Sequence, residues 1–247
     1  MLEELNRHRT IRKYTSKEID PELLNKLLET ACRSSNTGNM QAYSIVVTTD
    51  DGIKKQLAPA HFNQPMVTQA PAVLTFCADF NRFSKWCKQR QADPGYDNFQ
   101  SFLASAIDTI IAAQTFCIAA ESEGLGICYL GTTTYNAQEI IEALKLPKLV
   151  VPITTLTVGY PSENSDQTDR LKLKAIVHRE TYKEFDNEDI DNLYFDKENS
   201  ELYKQFVTEN GKETLAQVFT DIRYSRKNNE FFSEKFMLVL KEQGFLK

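Results

Sequence analysis

A cluster of basic side chains near the start of the chain is a candidate anion-binding segment. Residues 8–13 read His-Arg-Thr-Ile-Arg-Lys, in a chain with 29 Lys and Arg against 34 Asp and Glu. If this segment is helical, Arg9 and Arg12 share one face and could converge on a phosphate or a carboxylate. A solvated basic patch is the alternative, and the spacing alone leaves both interpretations open.

Two further segments have the residue types of a small-molecule site. Residues 34–39 read Ser-Ser-Asn-Thr-Gly-Asn, which places short hydroxyl and amide groups beside backbone N–H groups. Residues 124–131 read Gly-Leu-Gly-Ile-Cys-Tyr-Leu-Gly, an apolar extension after a helix stop. Gly126 and Gly131 permit a close approach to a flat ligand. A plain turn in the first segment and tight packing in the second would explain the same residues.

The sequence lacks the motifs of several familiar chemistries. It contains no G-x-G-x-x-G, no G-x-x-x-x-G-K-[ST] and no G-x-S-x-G. Its five cysteines form no C-x-x-C pair and its three histidines lie far apart, so neither a disulfide framework nor a metal site is predicted. Cys77 and Cys117 have apolar neighbours, and we expect both to be buried, unreactive thiols.

Composition and charge are those of a soluble globular protein. A net charge of −5 argues against a general binder of nucleic acids or anionic membranes. No unbroken stretch reaches the ~18 apolar residues of a membrane-spanning helix, and the charged N-terminal segment lacks an apolar signal region. We therefore expect a cytoplasmic protein with neither a nucleic-acid nor a membrane partner.

Helices and strands alternate irregularly along the chain, which indicates an α+β or α/β fold. Asp20-Pro21-Glu22 predicts a helix start, and apolar residues at helical spacing continue it to about Ser34. Apolar or β-branched runs predict strands at 43–49, 72–78 and 153–160.

The most hydrophobic helix is predicted over 99–120, before Gly124, which is a typical C-cap residue. Its apolar residues cover several faces, so we expect it at a domain centre or in a subunit interface. The next helix is predicted to begin at Asn136, with Glu139 completing a capping box. From Arg179 onward the charged, strand-poor sequence predicts a helical extension outside the core.

Five segments together resemble the FMN-dependent nitroreductase superfamily, and within it the oxygen-insensitive NADPH nitroreductases and NADPH-flavin oxidoreductases. They follow the family's order and spacing over nearly two thirds of the chain. The segments are HRTIRKY (8–14), SSNTGNMQAYSIV (34–46), QAPAVLTFCADFNR (69–82), DTIIAAQTFCIAAESEGLGICYLG (108–131) and LVVPITTLTVGYP (149–161).

The resemblance implies a nitroreductase-like α+β fold, in which helices flank a central and mostly antiparallel sheet. It implies an FMN-binding core over residues 1–178 and a helical C-terminal extension of the same domain over 179–247. It also implies a homodimer with FMN at the subunit interface.

The same resemblance assigns residues to the flavin. The basic segment, residues 8–13, would hold the phosphate and ribityl chain of FMN. The polar loop, residues 34–39, would lie along the flavin. Gln64 would contact the polar edge of the ring, and the backbone of residues 129–131 would run against one face of it. The implied FMN-binding residues are His8, Arg9, Thr10, Arg12, Ser35, Asn36, Thr37, Gln64, Tyr129, Leu130, Gly131 and Arg170. Where the family has a lysine this chain has Thr168, which predicts weaker retention of FMN.

The implied activity is that of an FMN-dependent NAD(P)H oxidoreductase, which reduces nitroaromatics, quinones or free flavin by ping-pong hydride transfer. The flavin carries this chemistry, so no catalytic side chain is assigned. Within a basic cluster of Lys212, Arg226 and Lys227, Arg223 is implied to receive the 2′-phosphate of NADPH, and a solvated helix face is the alternative. A non-catalytic flavin- or nucleotide-binding protein is a second function. A reductive dehalogenase or enone reductase on the same scaffold is a third.

Overall fold

The computed structural model describes residues 2–247, with only the backbone described at residues 3 and 4. Its α-helices are α1 (Leu2–Asn6), α2 (Pro21–Ala31), α3 (Asp51–Leu57), α4 (Pro65–Gln69), α5 (Asn81–Gln89), α6 (Phe99–Ser122), α7 (Ala137–Leu144), α8 (Asn187–Glu198), α9 (Glu201–Glu209), α10 (Leu215–Gln217) and α11 (Arg226–Gln243). Its strands are β1 (Tyr43–Thr48), β2 (Ala72–Asp79), β3 (Gly126–Leu130) and β4 (Val150–Gly159).

The four strands form one sheet in the order β1-β2-β4-β3, and every neighbouring pair is antiparallel. The predicted α+β fold with a mostly antiparallel sheet is therefore confirmed. The sequence did not predict β3, because the periodicity of five apolar residues that begin with glycine does not distinguish a strand from an apolar loop. Its register places Cys128 opposite Thr157 of β4.

The helix start at Asp20 and the helix stop at Gly124 are confirmed, whereas the predicted end of α2 is three residues too late. The Asp20 side chain accepts a 3.0 Å hydrogen bond from the Glu22 N–H and caps α2. Helix α2 ends at Ala31 instead of near Ser34, and the Ser34 hydroxyl donates to the Ala31 carbonyl. Gly124, just after α6, has a φ of 78°, as a C-cap glycine requires.

Helix α7 follows Asn136 as predicted, but the predicted capping box is wrong. The Asn136 amide donates a 2.8 Å hydrogen bond to the Ala60 carbonyl, and its oxygen accepts one from Lys235. Glu139 forms a 2.7 Å ion pair with the same lysine. Partners that are distant in sequence therefore hold both side chains that the local pattern assigned to the helix end.

Helix α6 packs along the sheet and forms the centre of the core with α2. The rings of Phe76 on β2 and Phe116 on α6 meet edge to face at 6.1 Å. Cys77 and Cys117 are buried as expected. Burial raises the pKa of both thiols, that of Cys117 to about 12, so neither is a reactive thiolate.

The opposite side of α6 carries an apolar stripe that the described chain leaves exposed. By length and composition α6 is also apolar enough to cross a membrane, although half of its most apolar window is buried inside the protein. The helix is nevertheless not an unbroken apolar run, because polar residues such as Asp108 and Gln114 interrupt it. The exposed apolar stripe consists of Phe99, Leu103, Ile107, Ile110 and Ile111.

The described chain divides into two compact units. The first comprises the residues up to Gln167 together with Phe232–Lys247, and it contains the whole sheet. The second, Thr168–Phe231, contains α8, α9 and α10. The boundaries of these units differ from those of the predicted FMN-binding core, 1–178, and extension, 179–247. The division into core and extension stays a prediction.

Candidate active site

The basic segment lies along the edge strand β3. It is extended and not helical, so the helical spacing considered for Arg9 and Arg12 does not apply. The Ile11 N–H donates a 2.9 Å hydrogen bond to the Ile127 carbonyl. The Tyr14 hydroxyl bonds to the Ile11 carbonyl at 2.7 Å, and these bonds fix the segment on the sheet.

The two arginines of the segment are held by the chain that follows β4. Arg9 donates from Nη1 to the side-chain oxygen of Asn164 and to the Ser165 carbonyl, both neutral acceptors. Glu163 accepts a 2.7 Å hydrogen bond from the backbone N–H of Arg12. Burial raises the pKa of the Cys128 thiol, and the nearby Arg12 guanidinium opposes that shift. Arg12 directly follows Ile11, which is hydrogen-bonded to β3, and its side chain is exposed.

His8 and Thr10 are engaged within the chain. His8 Nδ1 lies 2.6 Å from Oε1 of Glu121 on α6. The Thr10 carbonyl accepts a 2.9 Å hydrogen bond from the Ser165 hydroxyl, and its side chain is half-buried. Both residues thus support the position of the basic segment.

The end of β3 presents an open surface at Gly131. The Tyr129 hydroxyl donates a 3.2 Å hydrogen bond to Gln114, and burial raises its pKa. Leu130 is buried in the core. A β-carbon on Gly131 would meet no atom within 4 Å, whereas one on Gly126 would come within 2.6 Å of the Ile11 side chain. Tight packing thus accounts for Gly126, and Gly131 faces open space.

Gln64 is joined to this surface through His61. Gln64 is half-buried and directly precedes α4. His61 is fully buried, and its Nδ1 lies 2.8 Å from the Thr132 hydroxyl, one residue after Gly131. Burial lowers the His61 pKa to about 4, so the imidazole is neutral at pH 7. Its Nε2 is buried without a hydrogen-bond partner in the described structure.

The polar loop is anchored on α6 by a carboxylate that the sequence reasoning missed. The buried Asp108 accepts hydrogen bonds of 2.9 and 3.0 Å from the backbone N–H and hydroxyl of Thr37. The Asn36 side chain accepts a 3.2 Å hydrogen bond from the Gln41 N–H, and Ser35 is exposed. The loop therefore sits on the helix that carries the exposed apolar stripe.

The remaining predicted site residues belong to the second unit. Arg170 donates from Nη1 to the Thr168 hydroxyl at 2.6 Å and to the Asp169 carbonyl at 3.0 Å. The Thr168 hydroxyl thus binds the neighbouring arginine.

Arg223 differs from its basic neighbours in the second unit. Its guanidinium carbon lies 4.7 Å from the ring centroid of Phe206 and 6.0 Å from that of Phe219. Lys212 and Arg226 each form an ion pair with a carboxylate of the same unit, at 2.9 and 3.6 Å. A guanidinium stacked on a ring keeps its in-plane donors available for an anion.

Residues 5–160 match the sequence model of the Nitroreductase family. The chain belongs to the nitroreductase family. The matched range contains all four strands, the basic segment, the polar loop and the open surface at Gly131.

Curated relatives in this nitroreductase family include two from Bacillus subtilis. The first, named FMN reductase, NAD(P)H, is 35% identical over 217 residues, 87% of this chain and 86% of its own length. The second, FMN reductase (NADPH), is 30% identical over 250 residues, which are 100% of this chain and 98% of its own length.

Solved structures of nitroreductase fold align over nearly the whole chain. The crystal structure of a Bacteroides fragilis protein has a TM-score of 0.98 at 59% identity and covers 99% of this chain and 100% of its own. The NADPH:FMN oxidoreductase from Vibrio harveyi, complexed with NAD+, has a TM-score of 0.78 at 27% identity and covers 100% of this chain and 98% of its own.

Proposed function

We propose that this chain is an FMN-dependent NAD(P)H oxidoreductase that reduces nitroaromatics, quinones or free flavin. Relatives named FMN reductase and oxygen-insensitive NADPH nitroreductase support this activity, the latter at 34% identity over 72% of this chain. The observation that carries it is the basic segment on β3, the strand that ends at the open surface of Gly131.

The donor set of the basic segment fits the phosphate of FMN. Arg9 is held by neutral acceptors, so its charge stays available to a dianion. Arg12 has an exposed side chain on the same strand edge. Two guanidinium forks match the geometry and the charge of a phosphate group. We assign the phosphate to these two arginines, with His8 and Thr10 supporting their segment.

The open surface at the end of β3 fits the flavin ring. Gly131 has no side chain and its β-carbon position is empty, so a flat ring can lie against the backbone there. His61 ties the Gln64 segment to this surface, which suits Gln64 for the polar ring edge. When bound, FMN supplies the hydride chemistry, and the chain positions it and controls access.

The exposed apolar stripe of α6 supports a homodimer with FMN at the interface. A helix face of this kind is normally buried against another element or another chain. Ile107 in the stripe directly precedes Asp108, which holds Thr37 of the polar loop. A second copy docked on the stripe would therefore bring its own loop, with Ser35 and Asn36, towards the partner.

Four further parts of the assignment are proposals. Arg223 receives the 2′-phosphate of NADPH, which its stacked and exposed guanidinium suits. Arg170 contributes to the phosphate site, and 1–178 is the FMN-binding core with 179–247 as its extension. The protein works in the cytoplasm without a membrane or nucleic-acid partner, in keeping with its net charge of −5.

A spectroscopic titration tests the enzymatic function directly. The purified protein is expected to show the visible absorption of oxidised FMN. Anaerobic NADPH should bleach that absorption, and a quinone or nitroaromatic should restore it. A bound flavin that NADPH leaves oxidised would instead favour the non-catalytic binding protein.

A further inference from the structure

Phe62 occupies a backbone conformation that normally belongs to glycine. Its N–H bonds to the Pro59 carbonyl at 3.0 Å, and the next N–H, of Asn63, reaches back to the Ala58 carbonyl at 2.8 Å. These two bonds form a Schellman motif, whose left-handed position is usually glycine. Phe62 fills it with φ 54° and ψ 34°. A bulky side chain in that region is strained, and such outliers cluster at functional sites.

The strained residue leaves its ring on the surface. The Phe62 side chain is 55% exposed, so burial in the core does not account for a phenyl group here. Its edge meets the ring of Phe232 at a centroid distance of 6.3 Å. Phe232 in turn stacks on Tyr135 at 4.3 Å, with the ring planes 11° apart. Three separate segments thus form one aromatic surface, with Phe62 as its exposed end.

The aromatic surface is fixed to the two segments that carry the proposed flavin contacts. Phe62 lies two residues before Gln64, and Tyr135 lies four residues after Gly131. The His61–Thr132 hydrogen bond joins these segments at 2.8 Å, and the Asn136 amide joins them again at Ala60. The second bond is buried. Movement of the rings relative to Gln64 and Gly131 is therefore restricted.

We propose that Phe62, supported by Tyr135 and Phe232, stacks against the ring of the electron acceptor and selects planar aromatic acceptors over compact inorganic ones. This inference rests on the proposed function, since it needs a reducible flavin beside the rings. An exposed ring that is already oriented by its neighbours gains further contact when a quinone or nitroaromatic ring covers it. A compact anion such as ferricyanide has no ring to stack and makes no such contact.

The test compares Phe62→Asn with Phe62→Tyr in the FMN-loaded protein. Asparagine tolerates the left-handed conformation and removes the ring, whereas tyrosine keeps the ring and the strain. We expect Phe62→Asn to lower kcat/KM for 1,4-naphthoquinone about 3- to 10-fold, the range of one aromatic contact, and to leave ferricyanide unchanged. The dissociation constant of 2-naphthoate, which is not reduced, should rise by the same factor. Phe62→Tyr should match the unmodified protein.

Two controls separate recognition from folding. Trp86→Asn removes another exposed ring, that of a residue on α5. It should leave kcat/KM unchanged for both naphthoquinone and ferricyanide. The melting temperature of Phe62→Asn should not fall, since the backbone strain is relieved. Unchanged naphthoquinone and naphthoate values, an equal loss with ferricyanide, or a lower melting temperature would each overturn the proposal. Failure of the proposed function is distinct, because NADPH would then not bleach the flavin in the unmodified protein.

Discussion

Ile11 and Gly126 are in direct contact, and the absence of a side chain at residue 126 makes that contact possible. A β-carbon there would lie 2.6 Å from the Ile11 β-carbon, closer than two carbon atoms can pack. The Ile11 N–H also bonds to the Ile127 carbonyl next to this glycine. The basic segment can therefore lie flat on β3, which positions Arg9 and Arg12.

Gly126→Ala is expected to displace the basic segment. Overpacking a tight contact costs roughly 1–3 kcal/mol of the free energy of unfolding. FMN affinity should fall as well, because both arginines move with Ile11. Urea denaturation of the apo-protein and a flavin titration measure the two effects. Gly131→Ala is the matched control for stability, since its β-carbon meets open space and should leave the free energy of unfolding unchanged. Equal stability of both variants would contradict the account of the contact.

Arg12→Ala is expected to weaken FMN binding by about 1.5–3 kcal/mol, the range for a hydrogen bond to a charged partner. The fold should survive, because the side chain is exposed. Equilibrium titration of apo-protein with FMN provides the measurement. Lys13→Ala removes a neighbouring exposed cation and should leave the affinity within about twofold, because a screened surface charge contributes little. Unchanged affinity in Arg12→Ala would place the phosphate elsewhere.

Ile110→Glu is expected to dissociate the proposed homodimer. The residue lies in the exposed apolar stripe of α6, and a carboxylate buried there without a partner opposes association. FMN should be lost along with the dimer if the partner's polar loop completes the site. Light scattering and bound-flavin content measure both. Ile53→Glu, at an exposed position of α3, is the control and should remain dimeric. A monomeric unmodified holoprotein at micromolar concentration would remove the premise.

The sequence predicted those features that depend on neighbouring residues. The Asp20 cap, the left-handed Gly124 and the strands near Tyr43, Ala72 and Ile153 follow from local chemistry, and all are present. The order of five motifs also identified the family. These features need no knowledge of how distant segments meet.

The features that the sequence did not predict depend on partners that are distant in the chain. Asn136 has the right type for a capping box, but Ala60 and Lys235 bind its side chain. The role of His61 depends on Thr132, which lies 71 residues away in the chain. A lone histidine in an apolar segment gives no signal of such a contact. The site could be named residue by residue from the family, but its supporting bonds could not.

His61 predicts a loss of stability in mild acid. Burial lowers its pKa to about 4 from 6.5, so the unfolded chain takes up this proton more readily than the folded one. Above pH 6.5 the imidazole is neutral in both states and has no effect. Between pH 6.5 and 4 the free energy of unfolding should therefore fall, by roughly 3 kcal/mol in total.

Urea denaturation at pH 7.5, 6, 5 and 4.5 measures this slope. His61→Gln should flatten it, because glutamine keeps a hydrogen-bonding group for Thr132 but does not titrate. His178→Gln, at a half-buried position of the second unit, should keep the slope of the unmodified protein. If the free energy of unfolding of His61→Gln still fell with pH as steeply as that of the unmodified protein, other groups would cause the acid sensitivity.

Arg223→Ala is expected to reduce the preference for NADPH over NADH. The two coenzymes differ by one 2′-phosphate, so discrimination requires a cation at that position. Arg223 is exposed and stacked on Phe206, which orients its fork for two hydrogen bonds to phosphate. An exposed contact contributes about 1 kcal/mol, so KM for NADPH should rise roughly fivefold. The NADH reaction and the quinone half-reaction should stay nearly unchanged, as expected when uniform binding is lost.

Steady-state kinetics with both coenzymes at low and high salt complete the test of Arg223. The preference of the unmodified enzyme should fall as ionic strength rises, because salt screens an exposed charge pair. Arg226→Ala is the matched control, since that arginine already has Glu230 as an ion-pair partner and should leave KM for NADPH unchanged. Equal kcat/KM for NADH and NADPH in the unmodified enzyme would show that no cation reads the 2′-phosphate. Arg223 would then be a surface side chain stacked on its neighbouring rings.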